Sequence, residues 1–280
     1  MRHRLRGRGA GPGVNLAERR VREQGDPTGW TASGGNRIRA REGRWAVASG
    51  RVIGIVGARG GIGASSLAAS LAQRWARGGR GAVALVDLDV GGGLDVLLGV
   101  EGVRGLRWPD LAGARGEVSG AELTALLPQW SGVTVLSADR GRPGAPRAEV
   151  VADVLDALEA SHDQVVLDLD RRDVLAERGP LERCATVLVL AGRDVRSVAG
   201  VLALRDGLLG AVADVRLVVR GPSPGGLGVL ELAHVVDLPV AASMAPQRGF
   251  AGALERGGGP VPRRRGSLAR AVDRLAIGLA

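Results

Sequence analysis

A glycine-rich stretch, GARGGIGASS (57–66), has the composition of a loop that wraps around a phosphate group. It follows an apolar run, RVIGIVG (51–57), typical of a buried strand, and leads into ASSLAASLAQRWARGG (64–79), typical of a helix. Glycines let the backbone turn its N–H groups inward, and the following helix adds its positive N-terminal end. The stretch therefore predicts a phosphate-binding loop. A tight strand-to-helix turn without a ligand is the alternative.

The loop lacks the lysine that phosphate-binding loops commonly carry. All 38 basic side chains of the chain are arginine, so no lysine from elsewhere in the sequence can replace it. We therefore expect either a nucleotide-binding site with impaired chemistry or a loop that has lost its ligand.

Two pairs of aspartates close later apolar runs. Asp87 and Asp89 end AVALVDLD (82–89), and Asp168 and Asp170 end QVVLDLD (164–170). The carboxyl ends of parallel strands meet at one edge of a sheet, where ligands of such folds bind. We expect these carboxylates near the glycine-rich loop, although strand-end caps and turn formers would have the same composition.

The apolar runs define the fold class. Helical patterns separate most of them, which predicts an α/β fold with a mostly parallel sheet and helices on both faces. The helices are expected at 64–79, 146–162, 195–210 and 267–280. The seven predicted strands are 51–57, 82–89, 132–139, 164–170, 186–192, 215–221 and 238–244.

Charge is distributed unevenly along the 280 residues. Residues 1–48 carry 11 arginines and four acidic residues, whereas 49–280 carry 27 arginines and 25 acidic residues. We expect a basic, disordered arm at 1–48 and one nucleotide-binding domain at 49–280. The nearly neutral domain gives little basis for binding nucleic acid. The single Cys184 excludes a disulfide framework within one chain, and we expect a cytoplasmic protein.

Three motifs occur in the order typical of one superfamily. The segment Arg59–Ser66 resembles the deviant Walker A loop of the MinD/ParA superfamily, VALVDLDVGGGLDVLLG (83–99) resembles its switch segment, and VVLDL (165–169) resembles its Walker B strand. The resemblance covers roughly residues 50–280. It implies a P-loop NTPase-like fold of the MinD/ParA type, with ATP and Mg²⁺ as ligands.

The resemblance also assigns roles to residues. Arg59 takes the place of a signature lysine that reaches across a nucleotide-dependent homodimer, and Ala64 takes the place of the P-loop lysine. Ser65 would bind Mg²⁺, and Asp89 would orient the attacking water as the catalytic residue. The implied nucleotide-binding residues are Arg59, Gly60, Gly61, Ile62, Gly63, Ala64, Ser65, Ser66, Asp87, Asp168, Arg220 and Pro222.

Two further segments give a narrower resemblance. GLRWPDLAGARGEVSG (105–120) and RGPSPGGLG (220–228) are similar to CpaE-like, septum-site-determining proteins of high-G+C bacteria. That family implies a role in septum placement or in pilus and secretion-system assembly, with division, pilus or secretion proteins as partners. It also implies a location in the cytoplasm or at the inner face of the membrane. The last helix could contact a membrane, but packing back on the domain is favoured.

The functional prediction is a MinD/ParA-like positioning factor whose hydrolysis is weak or absent, because Ala64 cannot neutralise the charge that develops on a transferring phosphate. At most it is a weak ATPase. The alternative is a nucleotide-independent pseudo-ATPase scaffold. A DNA-partitioning ATPase is less favoured.

Overall fold

A computed structural model describes residues 52–113, 119–247, 249–256, 259–261 and 265–279. The predicted basic arm at 1–48 lies outside the described residues and stays a prediction. Eight strands form one sheet: β1 (Val52–Gly57), β2 (Val83–Asp87), β3 (Gln129–Trp130), β4 (Val133–Leu136), β5 (Gln164–Asp168), β6 (Thr186–Gly192), β7 (Val215–Arg220) and β8 (Val240–Met244).

The strands lie in the order β3-β4-β2-β5-β1-β6-β7-β8. Every neighbouring pair is parallel except β3 and β4, which are antiparallel. The loop-bearing strand β1 is therefore central, between β5 and β6. All six of its residues are buried, as expected for a strand covered on both faces.

One face of the sheet carries the helix that follows the loop. Helix α1 (Ala64–Arg77) packs there, and the short α2 (Leu94–Leu98) follows β2. The C-terminal helix, named α10 in chain order, spans Ser267–Gly278 and completes this layer. Its apolar face is buried in the same core, which confirms that the last helix packs back on the domain.

The opposite face carries a second core. Helix α5 (Ala148–Ser161), helix α7 (Val195–Ala211) and helix α8 (Val229–Val236) pack against it. The remaining helices are short: α3 (Trp108–Leu111), α4 (Gly120–Leu126), α6 (Arg171–Leu175) and α9 (Phe250–Glu255). Successive side chains of a strand point to opposite faces of the sheet. Leu85 therefore packs in the core beneath α1, and Val86 packs in the core on the opposite face.

This architecture confirms the predicted α/β class with helices on both faces. All seven predicted strands are present, and the sequence reading missed β3, whose two residues are too few to show a period. Along the chain, α10 follows α9. In space α10 belongs to the α1 layer.

Candidate functional site

The loop between β1 and α1 has the geometry of a compact cradle. Gly61 and Gly63 have φ angles of 69° and 101°, a region that glycine occupies without strain. Gly57 is required by a close approach, because an added Cβ would lie 2.8 Å from the Ile62 Cγ2 atom. Gly63 is the N-cap of α1 and offers no capping side chain. The first N–H groups of α1, including that of Ser65, are therefore available to an anion.

Two carboxylates lie beside this helix end, as the strand ends predicted. Asp87 and Asp168 are register partners on β2 and β5, and they are 1% and 2% exposed. The Ser65 hydroxyl donates a hydrogen bond to Asp168. Burial, together with the charge of Asp89, raises the pKa of Asp168 to about 7, although the Ser65 hydrogen bond opposes the shift.

Asp87 has little compensation: the Ala138 backbone opposes the rise in the pKa of Asp87 but does not reach hydrogen-bonding geometry with either carboxylate oxygen. Neither of its carboxylate oxygens has a hydrogen-bond partner among the described residues. Burial, followed by the charges of Asp168 and Asp89, raises its pKa well above the usual range. Buried polar atoms are normally paired, so two orphaned oxygens beside another carboxylate indicate a place for a positively charged ligand.

Asp89 lies at the rim of this cluster. It is half-buried, and burial together with the Asp170 carboxylate raises its pKa. A hydrogen bond from the Gly91 backbone opposes that shift and holds the side chain close to its own turn. Asp89 therefore lies near the other carboxylates without being fixed by any of them.

Arg59 projects from the loop toward α7. Its Nε donates to the Ser197 hydroxyl at 3.3 Å, and its Nη2 atom lies 3.4 Å from the Asp194 carboxylate. Asp194 is also the N-cap of α7, where it accepts the Ser197 N–H. The sequence predicted Arg59 as a site residue and did not predict these partners.

Arg220 reaches the helix end of the loop from the end of β7. Its Nη1 donates to the Ile62 carbonyl at 2.5 Å and would lie 3.0 Å from a Cβ added to Gly63. Both Arg220 and Gly63 line a cavity of about 270 Å³, which is bounded on its other sides by Ser66, Met244, Pro246, Gln247 and Phe250, among others. Pro222 follows a cis peptide bond from Gly221 and does not line this cavity.

A third arginine contacts the loop, and it was not among the predicted site residues. Arg171 begins α6, and its Nε donates to the Ala58 carbonyl at 3.0 Å. The sequence DLDRRD (168–173) places two arginines directly after the Asp168 strand end. Only the structure shows that one of them brings a guanidinium to the loop.

The residues present fit a Mg²⁺–nucleotide ligand. Among the described residues, no group of three or more His, Cys, Asp and Glu side chains could hold a metal ion alone. A Mg²⁺ ion here would need phosphate oxygens beside the Ser65 hydroxyl, which is the arrangement that Mg²⁺ favours. The orphaned Asp87 oxygens and the Ser65–Asp168 hydrogen bond would then face a cation.

Comparisons with known proteins give a relative in sequence and several in fold. No protein-family model matches the sequence. The chain is 41% identical over 227 residues to an uncharacterized protein of Mycobacterium tuberculosis, Rv3660c, a match that covers 81% of this chain. The chain spans 63% of the length of that relative.

Solved structures define the fold more closely. A ParA family ATPase from Chlorobium tepidum superimposes with a TM-score of 0.69 at 18% identity, covering 82% of this chain and 98% of that one. The septum site-determining protein MinD from Pyrococcus horikoshii, solved with Mg-ADP, gives a TM-score of 0.59 at 18% identity, with coverages of 82% and 95%. The chain therefore has the P-loop NTPase fold of MinD and ParA proteins, which confirms the predicted fold class.

None of the helices among the described residues combines the length and apolar character that a membrane span requires.

Proposed function

We propose that this protein is a MinD/ParA-like positioning factor that binds ATP and Mg²⁺ at the loop 57–66 and hydrolyses ATP slowly or not at all. One observation carries the proposal: Ser65 and two buried carboxylates, Asp87 and Asp168, converge at the N-terminus of α1, and the Asp87 oxygens lack partners among the described residues. A cation between these groups and a phosphate would satisfy all of them. Mg²⁺, when bound, would neutralise phosphate charge.

The chain's own residues supply the rest of the site. Backbone N–H groups at the start of α1 would bind phosphate oxygens, and Gly61 and Gly63 allow the loop to close around them. The cavity beside Arg220 would hold the remainder of the nucleotide. Asp89 would orient a water molecule. Removal of one preorganised charge from a transfer site costs roughly 10²–10³ in rate, so the Ala64 position accounts for slow hydrolysis.

Self-association is part of the proposal. Val195 and Leu230, at the starts of α7 and α8, are 85% and 81% exposed. Both lie at the carboxyl edge of the sheet, the edge that carries the loop, and exposed apolar side chains favour an interface. We propose that a second copy of the chain covers this edge when nucleotide is bound, with Arg59 at the contact. The resemblance to CpaE-like proteins supports division, pilus or secretion proteins as partners.

The second candidate is a nucleotide-independent pseudo-ATPase scaffold, and Ala64 favours it. In that case the loop is a structural turn and the function resides in surfaces such as the Val195–Leu230 edge.

The two candidates are separated by calorimetric titration of the full chain with ATP and Mg²⁺, beside the variant Ala64→Lys. Binding to the native chain is the expected result. The variant should bind more tightly and release phosphate faster by roughly 10²–10³. Binding by the variant alone would favour the scaffold.

A further inference from the structure

The loop 57–66 lacks a positive charge at position 64, where a P-loop would carry a lysine. The side chain of Ala64 ends at Cβ, and a Cβ built on Gly57 would lie 3.6 Å from it. Position 64 therefore lies beside the Gly57–Ala58 end of the loop.

Arg171 reaches the same end of the loop from the neighbouring strand. The parallel register of β1 and β5 pairs Ile55 with Asp168, so Ala58 and Arg171 each lie three residues beyond a shared rung. The Leu169 N–H donates to the Ile55 carbonyl at 2.9 Å and keeps the two chains together beyond the rung. The topology of the sheet thus brings Arg171 to Ala58.

The N-cap of α6 fixes the position of Arg171 at the start of that helix. Asp170 is the N-cap of α6 and accepts the Arg172 N–H at 2.7 Å. Arg171 is consequently the first helical residue, and its Nε donates to the Ala58 carbonyl at 3.0 Å. Its side chain is held by the loop backbone instead of by a carboxylate.

Most of the Arg171 guanidinium is unused. Among the described residues, its two terminal nitrogens make no hydrogen bond or ion pair, and the side chain is half-buried. Arg59 differs, because its guanidinium is held by Asp194 and Ser197. A guanidinium with free N–H groups in a fixed plane is suited to bind two phosphate oxygens at once.

We propose that Arg171 supplies the positive charge that the Ala64 position lacks, and that it binds the terminal phosphates of a nucleoside triphosphate held by the loop 57–66. This inference rests on the proposed nucleotide-binding function. It assigns the charge of the phosphate site to the turn after the Asp168 strand, and it explains how a chain without lysine would retain affinity for a triphosphate.

The test is a mutant cycle measured by calorimetry on the full chain with ATP and with ADP, each with Mg²⁺. Arg171→Gln should weaken ATP binding by roughly 10- to 100-fold, because a charge-assisted hydrogen-bond donor is lost. ADP binding should weaken less, since ADP lacks the terminal phosphate. In the Ala64→Lys background, Arg171→Gln should change ATP affinity less than about threefold, because the lysine supplies the same charge.

Arg172→Gln is the matched control. It removes the same charge one residue away from an exposed side chain, and ATP affinity should stay within about threefold of the native value. Thermal unfolding of each variant, followed by circular dichroism, identifies any variant that fails to fold. Arg171→Lys keeps the charge and should retain part of the ATP affinity.

Three outcomes overturn the inference, and they are distinguishable. If the native chain binds ATP and Arg171→Gln binds it equally well, the proposed function stands and Arg171 has no role in it. If the losses for ATP and ADP are equal and Ala64→Lys does not rescue them, Arg171 only shapes the loop. If the native chain binds no ATP, both the proposed function and the role of Arg171 fall.

Discussion

The two halves of the candidate site carry opposite charge and differ in how their charged side chains are arranged. One is a buried cluster of carboxylates, and the other is a set of arginines from separate parts of the chain. In the acidic half, on the β2 and β5 side, Asp87 and Asp168 lie near Ser65 with Asp89 at the rim, and burial together with neighbouring carboxylates raises the pKa of all three. In the basic half, position 64 carries no charge, and three arginines from different parts of the chain contact the loop or extend from it: Arg59, Arg171 and Arg220.

The difference shows what kind of ligand would complete the site. The acidic half needs a cation, and the basic half offers donors to an anion. A Mg²⁺–nucleotide complex presents both charges in one ligand, so it would relieve the acidic half and use the basic half together. The acidic half has the residue types that the MinD/ParA resemblance implies, whereas the basic half uses arginines in a different arrangement.

The largest effect is expected from removing the hydroxyl of the acidic half. Ser65→Ala should lower the affinity for ATP in the presence of Mg²⁺ by roughly 100-fold, the upper end of losses seen around metal sites. Affinity without Mg²⁺ should change little. Calorimetry with and without Mg²⁺ measures both. Ser66→Ala, one residue further along α1, should leave the Mg²⁺ dependence intact, and an equal loss in both variants would contradict the role of Ser65.

The second prediction concerns how the acidic half affects the free energy of unfolding when no ligand is bound. Asp87→Asn should raise the free energy of unfolding by about 1–3 kcal/mol, because it removes a buried charge that has no partner. Urea unfolding at neutral pH in the absence of nucleotide measures the change. Asp95→Asn is the control: Asp95 is also buried, but it pairs with Arg140 at 3.5 Å, so this variant should be destabilised. Destabilisation by Asp87→Asn would show that the carboxylate has a favourable partner.

The next prediction concerns the carboxyl edge of the sheet, where Val195 and Leu230 are exposed. Val195→Asp should weaken nucleotide-dependent self-association by roughly 10-fold, because it places a charge in an apolar contact. Light scattering with ATP and Mg²⁺ measures the dissociation constant. Ile277→Asp alters a side chain that is also strongly exposed, at 72%, but lies at the opposite edge of the sheet. Equal effects of the two substitutions would place the interface elsewhere.

The smallest effect is expected at the anchor of Arg59. Asp194→Ala removes the N-cap of α7 and should cost about 1 kcal/mol in the free energy of unfolding. Urea denaturation measures the loss. Asp206→Ala, on the same helix, removes an exposed carboxylate whose partner among the described residues is Arg205, and it should cost much less. A loss at Asp194 no larger than that at Asp206 would mean that α7 does not depend on this cap.

The acidic half could be predicted from the sequence because each part of it follows from a local pattern, either the glycine-rich loop or the end of a strand. The apolar run before Gly57, the glycines after it and the amphipathic helix that follows all lie within one segment of the chain. Asp87 and Asp168 are far apart in sequence, but both end a strand, and a parallel sheet aligns strand ends. The alignment of strand ends at one edge of a parallel sheet was enough to place these two carboxylates near each other.

The basic half could not be predicted in the same way. The contact between Arg171 and Ala58 spans 113 residues and depends on the register of β1 with β5. The contact between Arg59 and Asp194 spans 135 residues and depends on where α7 begins. A sequence pattern indicates that a residue lies at the end of an element, but it does not give the rung of the sheet or the direction of a long side chain.

A very close backbone approach joins the loop to α7. A Cβ added to Gly200 would lie only 1.9 Å from the Ala58 carbonyl oxygen, so the helix backbone rests directly against the loop. Arg59 is tied to the first turn of the same helix. We therefore expect a displacement of the loop to displace α7, which has 17 residues and a length of about 25 Å. A helix of that length spans the sheet from the edge that carries the loop to the opposite edge.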